Sequence, residues 1–258
     1  MSEAGPHWLE PDWPAPARIR AVSTLRGGGV STGPYASLNL GSRSGDDPSA
    51  VATNRRRLLA AARVPGEPSW LAQVHGAGVI DLDAAAPGDA PPAADASVAR
   101  RAGVVCAILT ADCMPILLTS ESGDVVAAAH AGWRGLAGGV IEATVAAMAA
   151  PATLMAWLGP AIGPSHFEVG PEVLEAMLRS DAGAAVGFTP NARGRYLADL
   201  ELLARRRLEA LGVRRIHGGG RCTFSDAQCY FSHRRDQGKT GRHATLIWRE
   251  AAPGPDRG

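Results

Sequence analysis

The sequence predicts a single α/β domain, and three observations carry that expectation. Residues 104–109, 116–118, 125–129 and 154–158 are short, continuous apolar runs, the length of strands buried on both faces. Residues 136–148, 171–178 and 197–211 carry apolar side chains at helical spacing, with Leu136, Val140, Ile141, Val145 and Met148 on one stripe and Leu197, Leu200, Leu208 and Leu211 on another. The chain has 258 residues, 46% of them apolar, enough for one large core, and it shows no internal repeat.

The remaining elements follow in order. Pro6, Pro11, Pro14 and Pro16 make residues 1–17 a loosely ordered arm. Residues 20–24 predict a strand, followed by the glycine loop RGGGVSTG. Asp47 and Pro48 cap and start a helix whose apolar face is Val51, Leu58, Leu59 and Ala62. Residues 70–80 are expected to include a strand ending near His75, and residues 86–94 a proline-rich surface loop. The segment HATLIWR is a closing strand, so the domain is expected over residues 18–250 with a flexible tail at 251–258.

Charge and composition exclude several classes. Lys plus Arg is 26 against 25 for Asp plus Glu, which lacks the basic footprint of a general nucleic-acid binder. No apolar run reaches the roughly eighteen residues of a membrane span, and the N-terminus lacks the order of a signal peptide, so a soluble cytoplasmic protein is expected. Lys239 is the only lysine, and its QGKTGR context suits neither a phosphate loop nor a Schiff base. Cys106, Cys113, Cys222 and Cys229 form no CxxC pair, which argues against a disulfide framework or a closed zinc site.

Three residues with metal-ligating chemistry stand at expected strand ends: His75 in QVHG, Cys113 in TADC and His130 in HAGWRG. Two imidazoles and a thiolate suit Zn²⁺ and leave a fourth position for water or substrate, where a metal lowers the pKa of bound water towards about 7. Copper suits the same donors. The competing interpretation is ordinary: satisfied histidines and a small buried cysteine. The loop from Gly27 to Gly33 fits either an anion-binding turn, with Arg26 supplying charge, or a plain tight turn. Arg134 stands at an expected helix entrance, a favourable place for phosphate. Gln73 and Asp112 neighbour the triad as possible supports, and Arg234, Arg235 and Asp236 suggest a surface ion-pair cluster.

The phrases RGGGVSTGPYASLNLG, QVHG, TADCMPILL, HAGWRG, LGPAIGPSHFEVG and CTF followed by FSHRRDQGKTGR occur in this order. Together they resemble the laccase-domain family, also called bacterial polyphenol oxidase or multifunctional purine nucleoside phosphorylase, over roughly residues 18–248. The resemblance implies a layered α/β/β/α fold with mixed sheets and metal ligands at His75, Cys113 and His130. It implies phosphorolysis of adenosine, inosine, guanosine and methylthioadenosine to base and ribose 1-phosphate, with adenosine deamination. Arg26, Asn39, Gln73, Asp112 and Arg134 are then the expected contacts to substrate or phosphate. His233 stands where the family usually has Tyr, and His243 where Met or Gln is commoner.

Multicopper chemistry needs many imidazoles, partly as His-x-His pairs, and this chain has seven histidines and no such pair. A single copper and a side oxidation of phenols remain open. The main alternative is a Cys–His hydrolase acting on peptidoglycan precursors, with Cys113 as nucleophile and His130 as base. The expected partners are small molecules, nucleosides and phosphate. Oligomeric state is not legible.

Overall fold

In the computed structural model, which describes residues 5–85, 90–150 and 153–251, the apolar runs form two sheets packed face to face. One sheet orders β1 (Trp8–Leu9), β2 (Ile19–Thr24), β13 (His243–Arg249) and β5 (Val105–Thr110), with antiparallel neighbours throughout. The other orders β12 (Arg215–Gly218), β8 (Leu154–Leu158), β6 (Met114–Ser120), β7 (Val126–Ala131), β4 (Ala96–Ala99) and β3 (Val79–Asp81). It is mixed: the β12–β8 and β3–β4 pairs are parallel and the rest antiparallel.

Period-two alternation along these strands explains the layers. Cys106, Ile108 and Ile247 of the first sheet meet Leu117, Val126, Ala128 and Trp157 of the second. Their alternates Val105, Ala107, Leu246 and Trp248 pack on Leu58 of α1 (Pro48–Ala61). On the far side, Ile116, Leu118, Ala127 and Ala129 pack beneath α3 (Val140–Met148), α4 (Pro171–Leu178) and α5 (Leu200–Ala210). The layers therefore run α/β/β/α. Both faces of each central strand are covered, which is why those strands read as unbroken apolar runs. A small antiparallel sheet orders β10 (Phe188–Pro190), β11 (Tyr196–Ala198) and β9 (Glu168–Val169).

Four elements differ from expectation. The N-terminal arm is tied down: Trp8 and Leu9 pair with Thr24 and Ser23, and Asp12 accepts a 3.0 Å bond from Trp157 Nε1. The helix expected at 136–148 is two, α2 (Trp133–Ala137) and α3, parted at Gly138 and Gly139, the latter at φ 88°. The helix expected from Leu197 begins at Leu200, because Asp199 caps it through Leu202 N and Leu197 belongs to β11. No strand ends at His75, which sits in a turn at φ 61° ahead of β3. Residues 1–4 of the arm, 86–89 of the expected loop and 252–258 of the expected tail lie outside the described residues. Among the described residues no helix is long and apolar enough to cross a membrane.

Candidate active site

The turn at His75 owes its shape to one buried carboxylate. Asp95, fully buried just before β4, accepts from the amides of Val74, His75 and Gly76 at 3.2, 2.9 and 2.7 Å. The same carboxylate accepts from His130 Nδ1 at 2.8 Å. Asp95 thus aims two imidazoles at once, and its bond to Nδ1 leaves Nε2 of His130 for the cluster. His130 lies inside β7, in step with Val126 and Ala128, so its ring enters the layer between the sheets. Cys113 reaches the same point from the β5–β6 connection, where Asp112 takes φ 89°.

The ligand atoms of His75, Cys113 and His130 all lie within 4.8 Å of one another. Gly132 makes room for them, since a Cβ there would stand 2.7 Å from Cys113 Sγ and 3.4 Å from His75 Cδ2. Donors around tetrahedral zinc stand about 3.3–3.6 Å apart, so a small contraction closes the cluster on a metal. The set fits a divalent metal of borderline softness with one open position.

Burial opposes charge on Cys113, yet the His130 imidazolium and hydrogen bonds from His130 and His75 outweigh it and hold the thiol at about 6. Burial likewise opposes charge on His130, but the Cys113 thiolate and the Asp95 carboxylate raise it to about 9. Asp95 would be pushed up by burial, and the bonds from His130 and from the Gly76 and His75 amides keep it below the usual range. Thiolate and imidazolium stabilise each other here; the thiolate is the form a metal requires, and a bound metal would take the place of the Nε2 proton on His130.

The cluster lies in the wall of a cavity of about 620 Å³. Arg43, Arg55, Arg134, Arg234 and Arg242 line it, with aromatic faces from Trp70, Trp133 and Phe167. Of the expected contacts, Gln73, Asp112 and Arg134 reach this cavity. Gln73 pairs both ends of its amide with the Leu109 backbone, at 2.8 Å each. Asp112 accepts from Thr223 Oγ1 and Arg234 N, both at 2.6 Å, and so braces the wall; Asp95, not Asp112, supports the triad. Arg134 stacks on Trp133, 4.3 Å from its ring centre.

Arg26 and Asn39 are not brought into the lining. Arg26 donates to the carbonyls of Ala36 and Ala227 at 3.0 and 2.8 Å and lies over Phe231, bracing loops. Two amides of the glycine loop are spent inside the protein, Gly29 on Ser37 Oγ and Val30 on Asn54 Oδ1. Asn39 is fully buried; its Oδ1 accepts from Gly41 N and Arg242 N. The RRD cluster divides: Arg235 pairs with Asp236, while Arg234 and His233 face the cavity. Asp95, Arg55 and Arg242 were missed. No local signal marked Asp95, whose partners lie about 20 and 35 residues away.

A layered α/β/β/α domain with a candidate His₂Cys metal site open to an arginine-lined cavity defines one class of protein, a fold of the laccase-domain kind. The chain belongs to the family described as multi-copper polyphenol oxidoreductase laccase, whose family model matches residues 20–250. It is 54% identical over 243 residues to purine nucleoside phosphorylase PA4543 of Pseudomonas aeruginosa, covering 93% of this chain and 98% of that one. It is 51% identical to purine nucleoside phosphorylase YfiH of Escherichia coli, with the same coverage. Among solved structures it superposes on Neisseria meningitidis protein NMB0706 with a TM-score of 0.88 at 45% identity, covering 95% of this chain and 99% of that one. YlmD of Geobacillus stearothermophilus gives 0.87 at 34% identity, covering 97% and 98%.

Proposed function

We propose that the protein is a metal-dependent purine nucleoside phosphorylase that also deaminates adenosine, with adenosine, inosine, guanosine and methylthioadenosine as substrates. The observation that carries this is the His75–Cys113–His130 cluster opening into a cavity whose basic lining is arginine. The names of relatives at about half identity over nearly the whole chain support the phosphorylase part.

His75, Cys113 and His130 would hold one divalent metal, zinc by their nitrogen–thiolate character with copper also accommodated, which when bound supplies Lewis acidity at the cavity wall. Asp95 keeps His130 in one tautomer and keeps the His75 turn closed. Trp133 and Phe167 line the cavity with the guanidinium groups of Arg134 and Arg234 over their rings, flat aromatic and cationic surfaces suited to a purine. The arginines neutralise phosphate and hold it for attack on the anomeric carbon, where a C–O bond forms as the glycosidic C–N electrons leave with the base.

Cys113, His130 and Asp95 also stand in the order nucleophile, base and orienting acid, which favours the thiol hydrolase as a second reading. Chelator treatment separates them. The phosphorylase reading expects nucleoside cleavage and deamination to vanish with chelator and return with zinc. Turnover that survives the chelator but is lost on alkylation of Cys113 would sink it and favour the hydrolase.

A further inference from the structure

The cavity contains a charge imbalance that its own residues do not answer. Among the described residues its one lining carboxylate, Asp112, already has one oxygen bonded to Thr223 and the other to the Arg234 amide. Arg55 and Arg242 have no carboxylate within ion-pair distance among the described residues. Glu67 offsets Arg55, and Cys113 and Asp112 offset Arg242, without a direct carboxylate ion pair, and partly desolvated guanidinium groups left so are costly unless an anion completes them.

Both side chains are organised by one short segment. Arg55 donates Nε and Nη2 to Leu40 O at 3.0 and 2.9 Å and stacks 4.0 Å over Trp70, which leaves Nη1 without a hydrogen-bond partner among the described residues. Arg242 is fixed through its backbone, with N donating to Asn39 Oδ1 at 2.8 Å and O accepting from Leu40 N at 3.1 Å. Its Nη1 donates to the carbonyls of Thr240 and Gly241. Its Nε and Nη2 have no protein partner among the described residues, and that is the edge that forks an oxyanion. Gly41 is where the Arg242 stem passes, since a Cβ there would lie 2.6 Å from Arg242 Cγ. The Arg242 guanidinium lines the same cavity as His75, Cys113 and His130, and burial there lowers its pKa.

We propose that Arg242 and Arg55, set by Asn39, Leu40 and Gly41, form a tetrahedral-oxyanion subsite that takes free inorganic phosphate next to the His75–Cys113–His130 cluster. The assignment rests on the phosphorylase reading for its biological meaning, but not for its test. It also gives the SLNLG phrase a purpose that Asn39, buried away from the cavity, does not fulfil by contact.

The test is calorimetric titration of inorganic phosphate into the purified protein, with nucleoside cleavage measured in parallel. Arg242→Gln and Arg55→Gln should each weaken phosphate binding by at least about tenfold. Arg242→Lys, which keeps the charge but loses the fork, should recover only part of it. Gly41→Ala should weaken binding by displacing the Arg242 stem with no loss of charge. Arg20→Gln, an exposed residue paired with Glu250, controls for net charge and should change nothing.

Phosphate affinity within about twofold of wild type in a folded Arg242→Gln variant would overturn the subsite, as would a wild type that binds no phosphate. Tighter uptake of a nucleoside monophosphate than of phosphate together with nucleoside would move the subsite to a substrate's own phosphate and overturn the free-phosphate assignment. Phosphate bound through Arg242 without nucleoside cleavage would leave the subsite standing and remove the phosphorylase reading.

Discussion

His130 and His243 are buried to the same degree, each 3% exposed, yet the protein drives them to opposite ends of the imidazole range. Burial disfavours the charged form of both. Around His130 the Cys113 thiolate and Asp95 override it and raise the group to about 9. Around His243 burial meets no acid, Arg26 and Arg242 push the same way, and the group falls to about 3. The cysteines repeat the contrast: burial pushes Cys106 up to about 12, while His130 holds Cys113 at about 6. Desolvation is therefore a common penalty, and the sign of the nearest charge decides the outcome. The cluster region stabilises a charged imidazole, and the region behind Phe231, with Arg26 and Arg242 nearby, keeps its imidazole neutral.

The largest test of that contrast is thiol reactivity. Across a pH series in chelator-treated protein, Cys113 should alkylate with a rate midpoint near pH 6, while at pH 7 Cys106 stays unmodified in the native fold. Their thiolate fractions differ by roughly 10⁵-fold, which mass spectrometry of iodoacetamide-treated protein would read directly. A midpoint near 9 for Cys113 would break the comparison.

Next in size is Asp95→Ala. It strips an acceptor from three amides and the His130 ring in a fully buried place. Each orphaned donor costs about 1–3 kcal/mol, so denaturant unfolding should register a loss of about 3 kcal/mol or more. Zinc affinity, measured by competition with a chromophoric chelator, should fall about 10–100-fold. Asp95→Asn restores an acceptor and should recover part of the stability but less of the metal affinity, since its amide nitrogen cannot accept. Unchanged zinc affinity in both variants would remove Asp95 from the site.

These tests turn on residues that differ in how visible they were. The central strands were legible because both faces are covered, so Ile116–Leu117–Leu118 shows no alternation to mistake for a helix. His75, Cys113 and His130 were legible from donor chemistry and from the family phrases around them. The break at Gly139 and the start of α5 at Asp199 were written locally but outvoted by apolar stripes, the second of which began at Leu197 inside a strand. Asp95 was hidden for a different reason. Its partners lie about 20 and 35 residues away, and no local pattern reports a carboxylate that folds a distant turn. Arg242 was hidden likewise, because its free edge is defined by what Asn39 and Gly41, some 200 residues earlier, leave unpaired.

The smallest effect is expected at His243, and it has a definite sign. Its Nε2 accepts from Phe231 N at 2.8 Å, so the neutral ring is part of the fold. The folded pKa, about 3, lies below the unfolded value near 6.5, so in the window between them the unfolded chain binds the proton and the folded one does not. Stability is therefore complete above pH 6.5 and is lost as pH falls towards 3. Between pH 7.5 and 5.5 this one group should cost about 1.4 kcal/mol. Gln keeps an acceptor for the Phe231 amide and does not titrate, so His243→Gln should match the wild type at pH 7.5 and exceed its stability by that amount at pH 5.5. Asp95 also loses stabilisation on acidification, but its window lies below the usual carboxylate range and is common to both proteins, so it cancels in the difference. Urea unfolding of the two proteins at both pH values reads the effect, and parallel losses would show that His243 is protonated in the fold and that the contrast with His130 does not hold.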